Sequence, residues 1–320
     1  MAKSTQESTR KNEHHDAPKN TQGRRATSQR RRGLFHTLAI GAEAGWAKKH
    51  VKLAHEPEGD RFGTVCAPEA DPDATPVTML AVGDSMVAGC GTSHQSKGLI
   101  PQEAYFLSKE TKHPVQWRTD AKLGATIRRV KYRQLAKLDG QDPSPLYDII
   151  TICAGSNDIM ARRKPSDWGE GLADAIDIAK RHARAVDVMS CGQLYTIPSL
   201  GKALREELER QCDAQAEVSL DVCTRHGAHY INLVHEELGC DHSWFWCGDQ
   251  FHPNAEGYER LARACVETMA RERMDLILSD LLLDRPESER VGEHVPAADG
   301  DSSDGAGFHG AESDGATTED

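Results

Sequence analysis

The sequence predicts an α/β fold in which helices cover both faces of a mainly parallel five-stranded sheet, giving a three-layer α/β/α sandwich. Two observations lead to this prediction. Short apolar runs of strand length alternate with longer stretches of helical length about five times along residues 77–285. Gly and Pro residues separate many of these segments. In such sheets, functional residues lie at the carboxyl ends of the strands.

The predicted elements follow one another in a strand–helix order. The five strands are expected at 77–82, 115–118, 147–153, 186–196 and 228–233. The helices are expected at 98–111, 125–138, 167–185, 201–225 and 255–272, and residues 275–284 either continue the last helix or start another. The strand at 147–153 is the clearest, because its sequence, YDIITIC, is an almost continuous apolar run.

The two ends of the chain are polar and oppositely charged. Residues 1–33 carry nine Lys and Arg against three Asp and Glu, whereas residues 293–320 carry eight Asp and Glu and no Lys or Arg. Neither end has the periodic apolar residues that could offset the entropy of ordering. We therefore predict a disordered basic arm at 1–33 and a disordered acidic tail at 286–320. The net charge of −11 is partly due to the tail and does not favour nucleic-acid binding.

Between the basic arm and the main domain at 77–285, we predict an amphipathic helix at 34–53 and a linker at 54–76 that is rich in Pro, Glu and Asp. No run reaches the roughly 18 apolar residues of a membrane-spanning helix. The segment 34–53 leaves three alternatives open: a helix that packs on the domain, a peripheral membrane contact through its basic flank, and an export signal, which the preceding run Arg30-Arg31-Arg32 resembles. His36 and Glu43 interrupt the apolar run, which argues against export.

Nine cysteines are scattered through the predicted core elements, and their odd number does not suggest a disulfide framework. Reduced thiols in a cytoplasmic protein are the simpler interpretation. Cys240, His242 and Cys247 do not have the spacing of the usual zinc motifs. No metal site is therefore predicted, and the expected chemistry requires no organic cofactor either.

Four short polar motifs follow predicted strands. They are Gly83-Asp84-Ser85, Gly124, Gly155-Ser156-Asn157-Asp158 and Asp249-Gln250-Phe251-His252-Pro253. Each motif alone is also typical of a helix cap, a turn or a surface pair. Together they indicate a site, because strands of one parallel sheet bring their carboxyl ends to one edge.

These four motifs, in this order, resemble the conserved blocks of the SGNH (GDSL-type) hydrolases, and the resemblance covers roughly residues 77–270. The resemblance implies an SGNH, flavodoxin-like sandwich. It implies that Ser85 is the nucleophile, His252 its general base and Asp249 the residue that orients His252. It also implies an oxyanion hole formed by the backbone N–H groups of Ser85 and Gly124 and by the side-chain amide of Asn157.

The expected function is hydrolysis of small-molecule carboxylic esters of a lipid, aryl or acetyl-sugar kind through an acyl-enzyme on Ser85. Two alternatives stay open: an acyltransferase that uses the same residues, and a non-catalytic ligand-binding module of the same fold. The aromatic run Trp244-Phe245-Trp246, just before Asp249, is expected either to plug the edge of the domain or to form a wall of the substrate pocket. The oligomeric state is left open.

Overall fold

The computed structural model describes residues 37–141 and 146–282, with side chains described up to residue 271. Its centre is one six-stranded sheet with the order β1-β3-β2-β4-β5-β6. The strands are β1 Phe62–Val65, β2 Val77–Gly83, β3 Val115–Ala121, β4 Tyr147–Cys153, β5 Ala183–Met189 and β6 His229–Ile231. All neighbouring strands are parallel except β1, which pairs antiparallel with β3.

The two central strands form the core of the sheet. Every residue of β2 and of β4 is buried, which is what apolar runs produce when helices cover both faces of a parallel sheet. β3 alternates buried and half-buried residues because it lies closer to the edge. The predicted α/β/α sandwich is confirmed, and its parallel strands bring the ends of β2, β3 and β4 together.

The predicted number of strands was wrong, because the sheet has six strands rather than five. The additional strand, β1, lies inside the segment 54–76 that was predicted to be a linker. It has only four residues, and they alternate between exposed and half-buried positions at the edge of the sheet. A strand this short and this exposed has too few apolar residues to be distinguished from a polar linker.

Helices form the two outer layers. The helices are α1 37–50, α2 Leu99–Thr111, α3 Ile127–Arg129, α4 Ser156–Met160, α5 Pro165–Ala179, α6 Lys202–His226 and α7 Ala255–Leu282. α2 packs against α7, whereas α5 packs against α6 and α3. α7 runs without interruption through the start of the 275–284 segment. α6 ends at His226 and is followed by Gly227, whose φ of +66° is the left-handed conformation favoured just after a helix.

Three predicted elements differ clearly in extent. The helix predicted at 167–185 is α5, which ends at Ala179, and residues 183–185 belong to β5. The strand predicted at 186–196 is β5, which ends at Met189, because the chain then turns away through a 3₁₀ turn at Leu194–Thr196. The helix predicted at 125–138 begins at Ile127 as one α-helical turn. It continues as a π-helical Val130–Gln134 and a 3₁₀-helical Leu135–Gly140.

α1 is anchored to the rest of the domain. Ala47 is buried, and Glu43 accepts a hydrogen bond from the backbone N–H of Leu204 at 2.8 Å. This bond satisfies a free N–H in the first turn of α6. The predicted basic arm 1–33 and acidic tail 286–320 lie outside the described residues. Among the helices that the structure describes, none is both long and apolar enough to cross a bilayer.

Candidate active site

Three of the four predicted motifs leave the sheet at the same edge. Ser85 follows β2, Gly124 follows β3, and Asn157 follows β4. β2 and β4 approach each other closely there: a side chain at Gly83 would collide with the backbone carbonyl of Cys153. Glycine is therefore required at this position, directly before Asp84 and Ser85.

The fourth motif reaches the same edge from the loop before α7. His252 Nε2 lies 3.0 Å from Ser85 Oγ, and His252 Nδ1 lies 2.7 Å from Asp249 Oδ2. Since an ionised carboxylate only accepts hydrogen bonds, Nδ1 carries the proton and Nε2 is free to accept from the hydroxyl of Ser85. The structure thus brings Ser85, His252 and Asp249 together in the predicted order.

Asp249 is held as a carboxylate by its surroundings. Oδ1 accepts hydrogen bonds from the backbone N–H groups of Phe251 and His252, both at 2.8 Å, and from the thiol of Cys247 at 3.0 Å. Oδ2 accepts a further bond from the backbone N–H of Ala54 at 2.9 Å. Burial favours the protonated acid. The hydrogen bond with the His252 imidazole, followed by those from the Cys247 thiol and from the N–H groups of His252 and Ala54, outweighs it and holds the pKa of Asp249 well below its ordinary value.

The loop that carries His252 is fixed by backbone bonds. The N–H of Cys247 donates to the carbonyl of His252 at 2.8 Å, and Trp246 pairs with Pro253 as an isolated β-bridge. His252 is 2% exposed and Ser85 is 8% exposed. The imidazole therefore has little freedom to rotate away from the hydroxyl.

The two backbone N–H groups that are predicted to bind the oxyanion have no acceptor in the described part of the protein. Within the described residues, the N–H groups of Ser85 and Gly124 donate no hydrogen bond. Gly124 has a φ of +76°, and no atom outside its chain neighbours lies within 4 Å of where its Cβ would be. The turn is therefore open at Gly124, which leaves room for a substrate oxygen.

The third predicted donor, the side-chain amide of Asn157, already donates to two acceptors in the protein. Its side-chain amide donates to Asp84 Oδ2 at 3.0 Å and to the carbonyl of Ala125 at 3.1 Å. Both amide hydrogens are thus used within the protein. One of these bonds has to be exchanged before Asn157 can donate to an oxyanion.

Asp84, which the sequence pattern suggested only as a helix cap, joins two of the motif segments. It is 1% exposed and accepts hydrogen bonds from Ser156 Oγ at 2.7 Å, from Asn157, and from the N–H of Met86 at 3.0 Å. Burial raises its pKa above the ordinary value, although these donors act in the opposite direction. Its position directly before the candidate nucleophile was the only signal of this role in the sequence.

Asp158 makes a similar link on the other side of Asn157. Its Oδ2 accepts a hydrogen bond from the N–H of Ile127 at 2.9 Å, and its Oδ1 lies 3.4 Å from Arg163 Nε. Burial is the main reason why the pKa of Asp158 is raised. The bond fixes the start of α3, which follows Gly124, against the start of α4.

The aromatic run before Asp249 serves mainly as packing. Phe245 is 1% exposed and Trp246 is 8% exposed, and the indole of Trp246 donates to the carbonyl of Cys240 at 2.8 Å. Trp244 is 40% exposed and stacks with His242. In the part of the chain that the structure describes, no three His, Cys, Asp or Glu side chains are grouped to hold a metal ion, and all nine cysteines are free.

Sequence comparison identifies the family of this chain. The profile of the GDSL-like Lipase/Acylhydrolase family matches residues 81–260, more than half of the chain and the whole region that carries the four motifs. The chain belongs to this family. A comparison with curated protein sequences gave no significant match.

The crystal structure of TesA agrees on the fold, with a TM-score of 0.50 and 21% sequence identity over 61% of this chain and 98% of TesA. Two further solved structures are also similar. A G-D-S-L family lipolytic protein from Veillonella parvula has a TM-score of 0.49 and 18% identity, covering 61% of this chain and 99% of that protein. The psychrotrophic esterase EstA from Pseudoalteromonas sp. has a TM-score of 0.48 and 16% identity, with 62% and 98% covered.

Proposed function

We propose that this protein is a serine hydrolase that cleaves carboxylic esters through an acyl-enzyme on Ser85. The observation that carries the proposal is the hydrogen-bonded series from Ser85 Oγ to His252 Nε2 and from His252 Nδ1 to Asp249, with distances of 3.0 and 2.7 Å. A serine hydroxyl is a weak nucleophile at neutral pH and needs such a base. Membership of the family supports the same reaction class.

In the proposed acylation step, His252 Nε2 takes the proton from Ser85 Oγ while that oxygen attacks the ester carbonyl carbon. Asp249, whose pKa is held low, stays ionised and stabilises the imidazolium. The imidazolium then protonates the leaving alcohol, and the acyl group remains on Ser85. In deacylation, His252 removes a proton from water while the water oxygen attacks the acyl carbon. The bond from that carbon to Ser85 Oγ then breaks, Oγ takes the proton back from the imidazolium, and the carboxylic acid is released.

The negative charge of the tetrahedral intermediate is assigned to the N–H groups of Ser85 and Gly124. Both are free of other hydrogen bonds among the described residues, so they are available without rearrangement. Asn157 joins them when it exchanges the carbonyl of Ala125 for the oxyanion, since its bond to Asp84 then still fixes the amide. Each such donor contributes about 3–4 kcal/mol to lowering the barrier.

The experiment that tests the proposal compares the wild type with Ser85→Ala on p-nitrophenyl esters of increasing acyl length. We expect turnover by the wild type and a loss of at least ~10³-fold in the variant. The dependence of the rate on acyl chain length then separates an acetyl esterase from a lipase-like enzyme.

If the wild type hydrolyses no ester and does not react with a fluorophosphonate probe, the proposal is wrong and a binding role is favoured. Labelling without hydrolysis, with transfer to an added alcohol, would identify an acyltransferase.

A further inference from the structure

Residues 51–61, which we call the strap, join α1 to β1. They form hydrogen bonds to Asp249, to the residues just before Gly124 and to Gln95, which follows the turn at Ser85. The strap precedes the family-matched region, which begins at residue 81. It has no regular secondary structure, so its course is determined by the contacts it makes.

The first contact is with Asp249, the carboxylate that orients His252. The N–H of Ala54 donates to Asp249 Oδ2 at 2.9 Å, and this is the same oxygen that accepts from His252. Among the described residues, four groups donate to Asp249 besides the imidazole, and of these only Ala54 comes from outside the loop 247–252. The strap therefore links the carboxylate to a segment outside its own loop.

The second contact supports the turn that carries Gly124. Glu56 Oε1 accepts a hydrogen bond from the N–H of Leu123 at 3.3 Å, and Glu56 Oε2 forms an ion pair with Arg61. Arg61 in turn donates from Nη1 to the carbonyl of Ala121 at 3.1 Å. The two side chains thus hold a backbone donor and a backbone acceptor directly before Gly124.

The third contact supports the turn after Ser85. The carbonyl of Glu58 accepts from the N–H of Gln95 at 2.8 Å, and the carbonyl of Pro57 accepts from its side-chain amide at 3.2 Å. The amide of Gln95, which is 2% exposed, also donates to the carbonyl of Ala88 at 3.1 Å. Through Gln95 the strap reaches the turn that begins at Ser85.

We propose that the strap is part of the active site and that Glu56 is a positioning residue, which holds the N–H of Gly124 in the direction of the oxyanion. This inference rests on the proposed ester hydrolysis. The turn is open at Gly124 itself, although Leu123 before it packs against the core and Ala125 after it is 1% exposed. The direction of the Gly124 N–H therefore depends on this packing and on the hydrogen bonds that hold the turn. Besides the strap, these are the bonds from Lys122 N–H to Gly83, from Ala125 N–H to Lys122, and from Asn157 to Ala125.

The test compares Glu56→Ala and Glu56→Gln with Glu110→Ala as a control. Glu110 is an exposed glutamate on α2, outside the strap and the candidate site. Each variant is assayed on the best p-nitrophenyl ester, and kcat is expressed per site that reacts to completion with a fluorophosphonate. This normalisation keeps the result interpretable if a variant is partly unfolded.

For Glu56→Ala we expect kcat to fall by ~10- to 100-fold with KM nearly unchanged, because a displaced oxyanion donor affects the transition state and not substrate binding. Glu56→Gln keeps an oxygen that accepts from Leu123 and should lose clearly less. Glu110→Ala should behave as the wild type. A kcat per labelled site in Glu56→Ala within about twofold of the Glu110→Ala control would overturn the proposal for the strap. It would leave the ester hydrolase proposal intact, because that proposal is tested by ester turnover in the wild type and its loss in Ser85→Ala.

Discussion

Asn157 donates its side-chain amide to the buried carboxylate of Asp84 at 3.0 Å, so the candidate oxyanion donor is bonded to the residue that precedes the candidate nucleophile. Ser156 donates to the same carboxylate oxygen. One carboxylate therefore fixes the segment after β4 relative to the segment after β2. The geometry between Ser85 and Asn157 depends on this link as well as on the sheet.

Replacing Asp84 should impair both turnover and stability. Asp84→Ala leaves the donors of Met86, Ser156 and Asn157 without their acceptor, at a cost of about 1–3 kcal/mol for each one that water does not reach. We expect a lower Tm and at least ~10-fold lower kcat, since Asn157 is no longer oriented.

Asp84→Asn retains one acceptor oxygen, so its Tm and kcat should lie between those of the alanine variant and of the wild type. Asp167→Ala, an exposed carboxylate in the first turn of α5, is the control. Wild-type kcat in Asp84→Ala would contradict this role.

Asp249→Asn should affect catalysis much more than folding at neutral pH. The amide stabilises the imidazolium poorly and can hold the wrong tautomer of His252, so kcat is expected to fall by up to ~10⁴-fold. The pKa of Asp249 is depressed in the folded state, so its ionised form stabilises the fold above the unfolded-state pKa of about 4. This contribution is lost as the pH falls through the folded-state pKa.

The measurement is the Tm of the wild type and of Asp249→Asn between pH 3 and pH 7. The stability advantage of the wild type should shrink below about pH 4, where the unfolded chain takes up the proton first. An advantage that stays constant down to pH 3 would show that the donors to Asp249 do not favour its ionised form.

The sequence predicted the sheet and the four motif segments because both depend on local patterns. β2 and β4 are continuous apolar runs, and Ser85, Gly124 and Asn157 each come shortly after a strand. The order of parallel strands then brings these residues to one edge without any knowledge of side-chain contacts.

The contacts around these residues were not predictable in the same way. Ala54 and Asp249 are 195 positions apart, and their bond uses a backbone N–H that any residue except proline supplies. Glu56 and Arg61 lie in a polar segment whose composition is that of a linker, and only the pairing of β1 with β3 places them against Leu123. Long-range backbone bonds of this kind leave no periodic signal.

Glu103 on α2 should make the stability of the protein depend on pH. It is fully buried, and neither of its carboxylate oxygens has a hydrogen-bond partner among the described residues. Burial, together with the charge of Asp187, raises the pKa of Glu103 to about 8. Because the unfolded chain releases this proton near pH 4, stability should fall by up to ~1.4 kcal/mol per pH unit between about pH 4 and pH 8.

Glu103→Gln removes this titration and should flatten the decline of Tm between pH 5 and pH 8. Glu110→Gln, an exposed carboxylate on the same helix, should leave the decline as it is in the wild type. Equal slopes in the wild type and in Glu103→Gln would mean that Glu103 is ionised in the folded protein at neutral pH.

The thiol of Cys247 should react slowly with alkylating reagents, although it is only half-buried and contacts the candidate site. Burial and its hydrogen bond to Asp249 raise the pKa of Cys247 to about 11. At pH 8 this leaves about a hundredfold less thiolate than an ordinary cysteine has, and the thiolate is the reactive form. We expect iodoacetamide to modify the exposed Cys66 first and Cys247 much more slowly, as followed by peptide mass spectrometry.

Asp249→Asn removes the negative charge that disfavours the thiolate, so it should accelerate modification of Cys247 while leaving the rate at Cys66 unchanged. Equal rates at Cys66 and Cys247 in the wild type would show that the contact with Asp249 does not hold the thiol protonated.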